Sequence, residues 1–468
     1  MTKDFQDLKR EVIDAGLCTR CGSCVGVCPQ EALAFSDPLG ECLPVRRGDC
    51  RSCGLCYTGC SGKTVSWPEL NQQVFGQPPQ SYLLGNWREL YVGFACDPIL
   101  RQGGASGGVV SAISDYLLAQ RLVDGVVALV DSENEPYRAI PRLITDRPGV
   151  LAAAQSRYSI SPVNTILREL EQRPGEYAYV GLPCQVHSLR KLQAAGHEAS
   201  LGIRYVIGTY CGNVLHFDAV RSFLQRNGVR DLSQVRSLKY RAGDWPGKLE
   251  ARLSDGRVFA LQKFYANYLI PFYIMKRCLL CTDLANEFAD ISVGDGWAPA
   301  YDERGKGWSI VVARTARGAA LLQAMQTAGR LELHPIGSEA AVNMHSHGLD
   351  FKKRGSFLRI RRRARLGQPV PEYGYELAQA GMARRTQEAV IDLVFALGAM
   401  RLSRWLINRL PVVLIGRAFK LMRSTWIRTT RSTKRGGLIQ TRFRVAPVAE
   451  REAGALGRDD SSPLIDGG

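Results

Sequence analysis

The sequence predicts an α/β protein, α+β overall, with a small N-terminal module, a central domain built on a mostly parallel sheet, and a basic helical C-terminal region. Three observations predict this division. Nine of the 14 cysteines fall in residues 1–70, two strand-loop-helix-strand patterns follow in the middle of the chain, and arginine becomes frequent after residue 350. A length of 468 residues also favours about three folded units.

The composition excludes several classes of protein. Hydrophobic residues make up 45% of the chain and charged residues 22%, which is typical of a folded protein rather than a disordered or collagen-like one. No apolar run is long enough for a bilayer span and no apolar leader follows the first residues, so the sequence predicts a cytoplasmic protein. In that reducing compartment, 14 cysteines indicate metal or redox chemistry rather than disulfides.

The strongest motif lies in the N-terminal module, where the spacing C-x2-C-x2-C-x3-C occurs twice. Its members are Cys18, Cys21, Cys24 and Cys28, and then Cys50, Cys53, Cys56 and Cys60. Two-cluster ferredoxins use this spacing, with three thiolates on one [4Fe-4S] cluster and the fourth on the other. The spacing therefore predicts a ferredoxin-like module in residues 1–70, in which Cys60 completes the first set and Cys28 completes the second.

The alternative to iron–sulfur clusters is a pair of zinc sites, which usually use two C-x2-C pairs rather than this spacing. Ser61 stands where a proline usually follows the second motif, and this change removes no ligand. Cys42 lies outside both motifs and is interpreted as a buried thiol.

The central domain is predicted from apolar runs and periodicity. Strands are expected at 90–95, 125–130, 177–181 and 203–210, and helices at 109–120 and 186–196. This alternation predicts a largely parallel sheet. Residues 248–264 alternate in polarity and contain Ser-Asp-Gly, which predicts a β-hairpin in or beside the sheet. The segments DISVGDGW and WSIVVART supply two more strands, GAALLQAMQTAG supplies a helix, and residues 71–90, rich in Gln, Gly and Pro, are interpreted as a linker.

The net charge of +17 is concentrated near the C-terminus. Residues 351–450 hold 22 Lys and Arg against 5 Asp and Glu, whereas residues 1–350 are nearly balanced. In EAVIDLVFALGAMRLSRWLINRL and PVVLIGRAFKLMRSTWIR, apolar residues alternate with arginine, which favours amphipathic helices on an anionic surface. We therefore expect residues 346–450 to be a basic amphipathic helical region and residues 451–468 to be a disordered tail.

Four further cysteines could form a third site. Cys184 and Cys211 follow two predicted neighbouring strands, so both should lie at the carboxyl ends of those strands, where open α/β sheets bind ligands. Cys278 and Cys281 add a C-x2-C pair, which needs two more thiols to hold a cluster. Isolated cysteines are also ordinary small buried residues, and Cys96 competes for a place in this set.

A glycine-rich loop, RQGGASGG (101–108), lies between a predicted strand and a helix. Backbone N–H groups at such a helix start can bind a phosphate. The loop is neither G-x-G-x-x-G nor a P-loop, so a tight structural turn is the alternative. Clusters pass single electrons, and a cluster module joined to an α/β domain therefore implies a two-electron converter, for which flavin is the usual choice.

The sequence resembles the coenzyme F420 hydrogenase/dehydrogenase beta-subunit family. The resemblance runs from Cys18 to about residue 335 and rests on GGASGGVVSAISDYLL, SRYS, YVGLPCQVHSLRKL, GTYCGN, CLLCTDLANEFADISVGDGW and GWSIVVART. Members of this family resemble iron–sulfur flavoproteins that bind FAD beside a [4Fe-4S] cluster. The resemblance thus implies that residues 91–345 form an FAD and iron–sulfur domain fused to the ferredoxin-type module.

The resemblance also implies individual site residues. A third cluster is implied on Cys184, Cys211, Cys278 and Cys281. The implied flavin pocket consists of Gly104, Ser106, Gly107, Gly108, Arg157, Tyr158 and Asp295. Relatives often carry lysine in place of Arg157, and Ala105 varies a serine-rich loop. The alternatives are that Arg157 is a surface cation and that Asp295 only closes a turn. The histidines show no spacing typical of metal ligands. No residue is assigned as a catalytic acid.

These observations predict an oxidoreductase that relays electrons between a donor, the clusters and FAD, and so reduces or oxidises an organic substrate. The donor or substrate is a ferredoxin-type protein or coenzyme F420. The alternative is an electron-transfer subunit without its own substrate, docked to a catalytic partner. A peripheral contact with the inner face of an anionic membrane is expected from the basic region, and nucleic-acid binding is disfavoured because the aromatic residues there lie in apolar helical stretches.

Overall fold

The computed structural model describes residues 3–302 and 305–446, and the N-terminal module is its first part. The module contains helices α1 (Phe5–Leu8), α2 (Ser23–Gly26) and α3 (Leu55–Thr58), a π-helical turn Lys9–Ile13, and strands β1 (Leu33–Phe35) and β2 (Pro44–Arg46). The strands pair antiparallel. Helices α2 and α3 both begin after a glycine with positive φ, Gly22 and Gly54, so the two cysteine motifs adopt the same turn.

The segment predicted to be a linker is instead packed into the main core. Helix α4 (Trp67–Phe75) begins at Ser66, whose hydroxyl accepts a hydrogen bond from the Glu69 amide. The apolar side chains of residues 82–84 are at most 2% exposed. Tyr82, Leu83 and Leu84 belong to the main apolar core. Burial of three consecutive large apolar side chains stabilises an ordered segment here, despite the Gln, Gly and Pro around them.

An eight-stranded sheet forms the centre of the molecule. Its strands are β3 (Glu89–Ala95), β4 (Gly125–Asp131), β5 (Ala139–Ile144), β6 (Tyr177–Gly181), β7 (Ile203–Thr209), β11 (Ile291–Asp295), β12 (Ser309–Ala313) and β13 (Leu331–Pro335). They are ordered β13-β3-β12-β11-β7-β6-β4-β5. All six strands predicted in this domain are present. The two that the sequence did not reveal, β5 and β13, are the edge strands, and each contains a proline, which edge positions tolerate.

The sheet is mixed rather than mostly parallel. Neighbours β4, β6, β7 and β11 are parallel, and the other neighbouring pairs are antiparallel. Strand β12 runs antiparallel to both β11 and β3, so β3 points the same way as the parallel group. Five strands therefore direct their carboxyl ends to one edge of the sheet, and that edge positions the site described below.

Helices cover both faces of the sheet. They are α5 (Pro98–Gly103), α6 (Val109–Ala119), α7 (Arg147–Ala153), α8 (Leu167–Glu171), α9 (Pro183–Ala194), α10 (Glu198–Leu201) and α14 (Ala316–Thr327). Helix α11 (Asp218–Arg226) packs instead on the smaller sheet described next. The predicted helices at 109–120, 186–196 and in GAALLQAMQTAG correspond to α6, α9 and α14. One apolar core lies on the side of α6 and α14, and another on the side of α9.

The predicted hairpin is part of a separate three-stranded antiparallel sheet. Its strands are β8 (Val235–Ala242), β9 (Lys248–Leu253) and β10 (Val258–Gln262), with β9 in the middle. Helices α12 (Lys263–Ala266) and α13 (Leu269–Tyr273) follow directly. This small sheet and α11 share a further apolar core with α13.

The C-terminal region is largely helical in its described residues, as predicted. It contains α15 (Ser338–Met344), α16 (Ser346–Asp350), a π-helical turn Phe351–Gly355, α17 (Ser356–Arg365), α18 (Met382–Gly398), α19 (Arg401–Ile407), α20 (Val412–Thr429) and α21 (Arg431–Lys434), with the paired strands β14 (Tyr375–Leu377) and β15 (Phe443–Val445). Across the part of the chain that the structure describes, no helix combines the length and apolar character needed to cross a bilayer. The predicted disordered tail, 451–468, lies outside the described residues.

Several basic residues of this region are internal, although the sequence favoured a solvated basic surface. Lys352, Lys353 and Arg359 are at most 1% exposed. Each has a partner: Lys352 donates to the Cys278 carbonyl, Lys353 forms an ion pair with Glu287, and Arg359 forms one with Glu388. Because a buried charge is tolerated only when it is paired and hydrogen-bonded, these residues bind the C-terminal region tightly to the rest of the chain.

Glu388→Gln is expected to lower the free energy of unfolding by about 2–4 kcal/mol, because it leaves the buried Arg359 and Arg384 guanidinium groups without a full counter-charge. Urea denaturation followed by tryptophan fluorescence measures this change. Glu176→Gln, which removes the exposed Glu176–Arg204 pair, is the matched control and should change stability little. Equal effects of the two substitutions would show that burial of the charge is unimportant.

Candidate redox site

The N-terminal cysteines lie in two groups that exchange their fourth members. A cavity of about 20 Å³ is lined by Cys28, Cys50, Cys53 and Cys56. The thiols with the strongest electrostatic interaction with the Cys24 thiol are those of Cys18, Cys21 and Cys60. The structure therefore brings Cys28 to the second motif and Cys60 to the first.

A third group of thiols forms at the carboxyl ends of β6 and β7. Cys184 lies in the first turn of α9, directly after β6, and Cys211 follows β7. Cys278 and Cys281 lie in and directly after a 3₁₀ turn, Lys276–Leu280. The cysteines that interact with the Cys184 thiol are Cys211, Cys281, Cys21 and Cys278, in decreasing order of strength. Four cysteines that are up to 97 residues apart in sequence thus converge.

Two other cysteines remain outside these groups. Cys42 is completely buried, as predicted, and its Sγ lies 3.1 Å from the Pro38 carbonyl oxygen. Cys96 is exposed, and its charged neighbours are Glu332 and Arg101 rather than other thiols. The competing assignment of Cys96 to the third group therefore has no geometric support.

The N-terminal module is joined directly to the third group. The Ser61 hydroxyl donates to the Cys184 carbonyl over 2.8 Å, and the Asn164 side-chain amide donates to both Ser23 and the Gln185 carbonyl. Gly26 allows this close approach, since a Cβ atom there would lie 2.2 Å from the Asn164 carbonyl oxygen. Cys56 of the second group is among the neighbours of Cys24, and Cys21 of the first group is among those of Cys184, so the three groups form one continuous row.

Among the described residues, no three His, Cys, Asp or Glu side chains are arranged to hold a single metal ion. Thiolates around one zinc ion each lie about 2.3 Å from it, which requires tight convergence. In a [4Fe-4S] cluster each thiolate binds a different iron, so the sulfur atoms stand farther apart.

Buried positive charges surround the third group. The Lys352 ammonium group donates to the Cys278 carbonyl over 3.3 Å, and the Arg277 guanidinium donates to the Leu17 and Gly62 carbonyls at the junction with the N-terminal module. Burial raises the pKa of the Cys211 thiol to about 12, even though the Lys352 charge opposes this rise. Ligation at this thiol must therefore displace a proton.

A cavity of about 410 Å³ opens at the same edge of the sheet. It is lined by the glycine-rich loop, the first residues of α6, the ends of β4, β6, β7 and β11, and Cys211 from the third group. Cavities of 300 Å³ or more commonly hold organic ligands. Because Cys211 is part of its wall, this cavity adjoins the row of cysteine groups.

The glycine-rich loop lies at the start of α6, as predicted. Val109, Val110 and Ser111 line the cavity, and the amides of a first helical turn have no partner within their helix. A Cβ atom at Gly107 would lie 2.6 Å from the Gly93 carbonyl oxygen, and Gly108 has φ of +73°. These glycines are therefore required by the packing of the loop itself, and the anion-binding capacity belongs to the helix start.

Two buried polar atoms in the cavity wall have no hydrogen-bond partner within the described residues. They are the Tyr210 hydroxyl and the Gln155 side-chain carbonyl oxygen. Unsatisfied buried polar groups are costly, so each is a position at which a polar ligand would be stabilised. The cavity therefore fits a ligand that carries both polar groups and an anionic group.

Arg157, Tyr158 and Asp295, which were predicted in this pocket, already form hydrogen bonds with other parts of the protein. Arg157 lines the cavity, but its guanidinium binds Asp131 and the carbonyls of residues 152–155 at the end of α7. Tyr158 and Asp295 also line it, and both are hydrogen-bonded to Arg241. Arg157 therefore holds the wall together, and the buried Arg241 holds Tyr158 and Asp295 in position.

Sequence reasoning missed Arg241 and Lys263. The Arg241 side chain is 1% exposed and forms an ion pair with Asp295 over 2.9 Å, and Lys263 lies 3.9 Å from the same carboxylate. Burial opposes ionisation of Tyr158, but the Lys263 and Arg241 charges outweigh it and lower the pKa of that hydroxyl. Neither basic residue lies in a motif; the fold of β8 brings Arg241 to Asp295, and the start of α12 brings Lys263 there.

A second cavity, of about 200 Å³, adjoins the first and shares Tyr158, Ser159, Gly212 and Asn213 with it. Its wall includes Lys263 and parts of α12 and α13. Beside the two cavities, the Lys263 ammonium group lies 4.5 Å from the ring centroid of Trp297, and Trp245 lies 4.9 Å from the same ring. This arrangement can stack a planar molecule and bind negative charge.

Comparison with known protein families identifies three matching regions. Residues 90–168 and 175–339 match the N-terminal and C-terminal models of the coenzyme F420 hydrogenase/dehydrogenase beta subunit. Residues 11–34 match the 4Fe-4S binding domain, which supports a [4Fe-4S] cluster in the N-terminal module. The C-terminal helices lie beyond these matches.

Individual proteins show the same similarity. The chain is 28% identical over 344 residues to a coenzyme F420-dependent sulfite reductase of Methanocaldococcus jannaschii, a match that covers 70% of this chain and 48% of that protein. This chain thus spans about half the length of that relative. It is 30% identical over 303 residues to the coenzyme F420 hydrogenase subunit beta of Methanococcus voltae, covering 61% of this chain and 99% of that protein.

A solved structure shares the fold. A chain of the F420-reducing [NiFe] hydrogenase complex from Methanosarcina barkeri, studied by xenon derivatisation, matches with a TM-score of 0.50 and 21% identity. The match covers 62% of this chain and 97% of that one. The mixed α/β architecture is therefore common to both.

Asp295→Asn is expected to lower the free energy of unfolding by about 2–4 kcal/mol at neutral pH, because it leaves the buried Arg241 without its carboxylate. Burial alone would raise the pKa of Asp295, but the Lys263 and Arg241 charges outweigh it and hold the pKa well below its usual range. A carboxyl group whose pKa is lower in the folded than in the unfolded state stabilises the fold at pH values above its unfolded pKa of about 3.9. This stabilisation is lost as the pH falls from there toward the folded-state pKa.

The difference between wild type and Asp295→Asn should therefore shrink in acid, which urea denaturation at several pH values measures. Asp255→Asn, in the exposed turn between β9 and β10, is the control and should have little effect. A difference that grew on acidification would contradict the assigned pairing.

Proposed function

This chain belongs to the coenzyme F420 hydrogenase/dehydrogenase beta-subunit family, and from that premise we propose that it is an iron–sulfur flavoprotein oxidoreductase. Its substrate in this proposal is an organic molecule or coenzyme F420, which it reduces or oxidises. The observation that carries the proposal is the row of three cysteine groups that ends at a ligand-sized cavity. When bound, [4Fe-4S] clusters supply one-electron transfer and FAD supplies the conversion to a two-electron step.

The proposal assigns the cluster ligands by the groups that the fold brings together. The first set is Cys18, Cys21, Cys24 and Cys60, the second is Cys28, Cys50, Cys53 and Cys56, and the third is Cys184, Cys211, Cys278 and Cys281. The shared neighbours Cys21 and Cys184 support contact between the first and third sets, and Cys211 supports contact between the third set and the cavity. Short distances between redox centres favour electron transfer along this row.

The residues of the larger cavity suit FAD. The amides that begin α6 would bind the pyrophosphate, with Gly104, Ser106, Gly107 and Gly108 shaping the loop around it. Tyr210 and Gln155 would gain hydrogen-bond partners that they lack in the described chain. Arg241, buried and hydrogen-bonded to Asp295 and Tyr158, would hold these two cavity-lining side chains in place beside the bound molecule.

The second cavity is the proposed position of the organic substrate. It shares a wall with the first, so a molecule there would lie against whatever the larger cavity holds. Lys263 lines this second cavity and would bind negative charge, and the Trp297 ring beside it, in the wall of the first cavity, would stack a planar group. Relatives are named for coenzyme F420, and we propose either that coenzyme or a ferredoxin-type protein as the redox partner.

The alternative function is an electron-transfer subunit that has no substrate of its own. The favouring observation is that relatives are named as a hydrogenase subunit and as a chain of a hydrogenase complex. This alternative expects reduction of coenzyme F420 only when a catalytic partner is present, whereas the oxidoreductase proposal expects the isolated chain to react with a chemical reductant. A cytoplasmic location forms part of both, because free thiols and clusters persist in a reducing compartment.

Anaerobic purification should give about 12 iron atoms per chain if all three cysteine groups hold [4Fe-4S] clusters. Cys281→Ala should lower this number by about four, the content of one cluster. Iron and acid-labile sulfide assays measure the change. Cys96→Ala, which alters an exposed cysteine outside the groups, should leave the iron content unchanged, and the same result for Cys281→Ala would remove the third cluster from the proposal.

Ser111→Asp should reduce bound flavin at least tenfold, because a carboxylate at the third position of α6 repels a pyrophosphate while it favours the helix itself. Flavin released by denaturation and identified by chromatography measures the effect. Ser111→Asn is the neutral control of similar shape and should retain flavin. Protein that lacks flavin before any substitution, with all of its iron present, would refute the FAD assignment.

A further inference from the structure

We propose that the outer surface of helices α18, α19 and α20 docks on an anionic lipid bilayer. These helices lie in the C-terminal region, beyond the residues that match the family, and the redox site does not use their outer surface. The inference is independent of the proposed function. Three observations carry it: an unusual concentration of exposed apolar side chains, their periodicity, and the charge around them.

Exposed large apolar side chains are concentrated in this segment. Of 22 such side chains in the described residues, 14 lie between positions 382 and 422. They are Met382, Val390, Leu393, Val394, Leu397, Met400, Leu402, Trp405, Leu406, Leu410, Val413, Leu414, Leu421 and Met422. Exposed apolar residues scattered singly need no explanation, but a continuous group marks a contact surface.

The exposed residues form stripes rather than isolated positions. In α18 they occur at i, i+3, i+4 and i+7, beginning at Val390, and in α19 they occur at i, i+3 and i+4, beginning at Leu402. That spacing places them on one face of each helix. A second apolar set, including Phe395, Ile407 and Phe419, packs inward on the core shared with α11 and α13. The outward stripes are therefore additional to what folding requires.

The charge of the segment is strongly positive. Residues 382–429 contain nine Lys and Arg but only two acidic residues, Glu388 and Asp392. Both acidic side chains form ion pairs with basic residues, Glu388 with Arg359 and Asp392 with Arg362. Exposed cations such as Arg409, Arg417 and Lys420 lie among the apolar stripes, so the complementary surface is negative.

An anionic bilayer matches this combination better than the other negative surfaces. Nucleic acid binds through cations and stacked bases and does not cover wide aliphatic stripes. Interfacial helices, by contrast, combine an apolar face, flanking Arg or Lys and tryptophan. Here the Arg409 guanidinium lies 3.6 Å from the centroid of the Trp405 ring. No described helix can span a membrane, so the helices would lie along its surface.

The docking helices are connected to the redox site. Gly416 of α20 packs against Tyr265 of α12, and the Arg404 guanidinium of α19 donates to the Phe272 carbonyl of α13 over 2.8 Å. Helices α12 and α13 also form part of the wall of the second cavity. Contact with a membrane would thus hold that wall close to the bilayer surface.

The test is co-sedimentation of the full, anaerobically purified chain with phosphatidylcholine vesicles that do or do not contain phosphatidylglycerol. We expect binding to the anionic vesicles that weakens at high salt, with at least tenfold weaker binding to neutral ones. Arg417→Gln combined with Lys420→Gln should weaken binding to anionic vesicles several-fold. Equal binding to both kinds of vesicle would overturn the anionic assignment.

Leu393→Asp combined with Leu397→Asp should reduce binding at least tenfold, since both side chains are half exposed on the outward stripe of α18. Leu201→Asp, at an equally exposed leucine outside the segment, is the matched control and should bind normally. Unchanged iron content and circular dichroism would show that the double variant is folded. Failure of the wild type to sediment, or a dimer that the double variant dissociates, would overturn the proposal in favour of a soluble chain or a second copy.

Discussion

The structure depends on the neutralisation of charge around the loop that carries Cys278 and Cys281. Arg277, which lies in the loop itself, donates to the Leu17 and Gly62 carbonyls of the N-terminal module, and Lys352 and Arg359 of the C-terminal region donate to the Cys278 and Leu279 carbonyls of the loop. Beside the loop, Lys353 pairs with Glu287 and Arg359 with Glu388. Since an unpaired buried charge is far costlier than a lost surface contact, these interactions fix the N-terminal, central and C-terminal parts relative to one another.

The direction of the strands explains why one edge of the sheet holds the whole site. Five strands end there although only part of the sheet is parallel, because β12 returns antiparallel between β11 and β3. The ends of these strands and the segments directly after them supply the glycine-rich turn, Cys184, Cys211 and Asp295. A mixed sheet thereby keeps the geometry expected of a parallel one at its carboxyl edge.

The C-terminal region combines two roles that its composition does not separate. Lys352, Lys353, Arg359 and Arg384 face inward and form ion pairs or bind carbonyls, whereas the cations of α19 and α20 lie mostly at the surface. Both sets read as one basic, helical stretch in sequence. The two sets differ only in the apolar core against which their helices pack. That packing depends on contacts with residues more than 60 positions away in the sequence.

The sequence by itself determined the features that depend on local spacing: the two cysteine motifs, the six apolar central strands, the position of the glycine-rich loop before α6, and the strand-end placement of Cys184 and Cys211. These follow from backbone periodicity and the short reach of neighbouring residues. Only the tertiary structure decided that residues 71–90 are packed rather than loose, that Arg157 supports the cavity wall, and that Arg241 and Lys263 lie beside Asp295. The two pairs with Asp295 join side chains more than 30 residues apart, and their proximity results from the packing of separate elements, which no local pattern records.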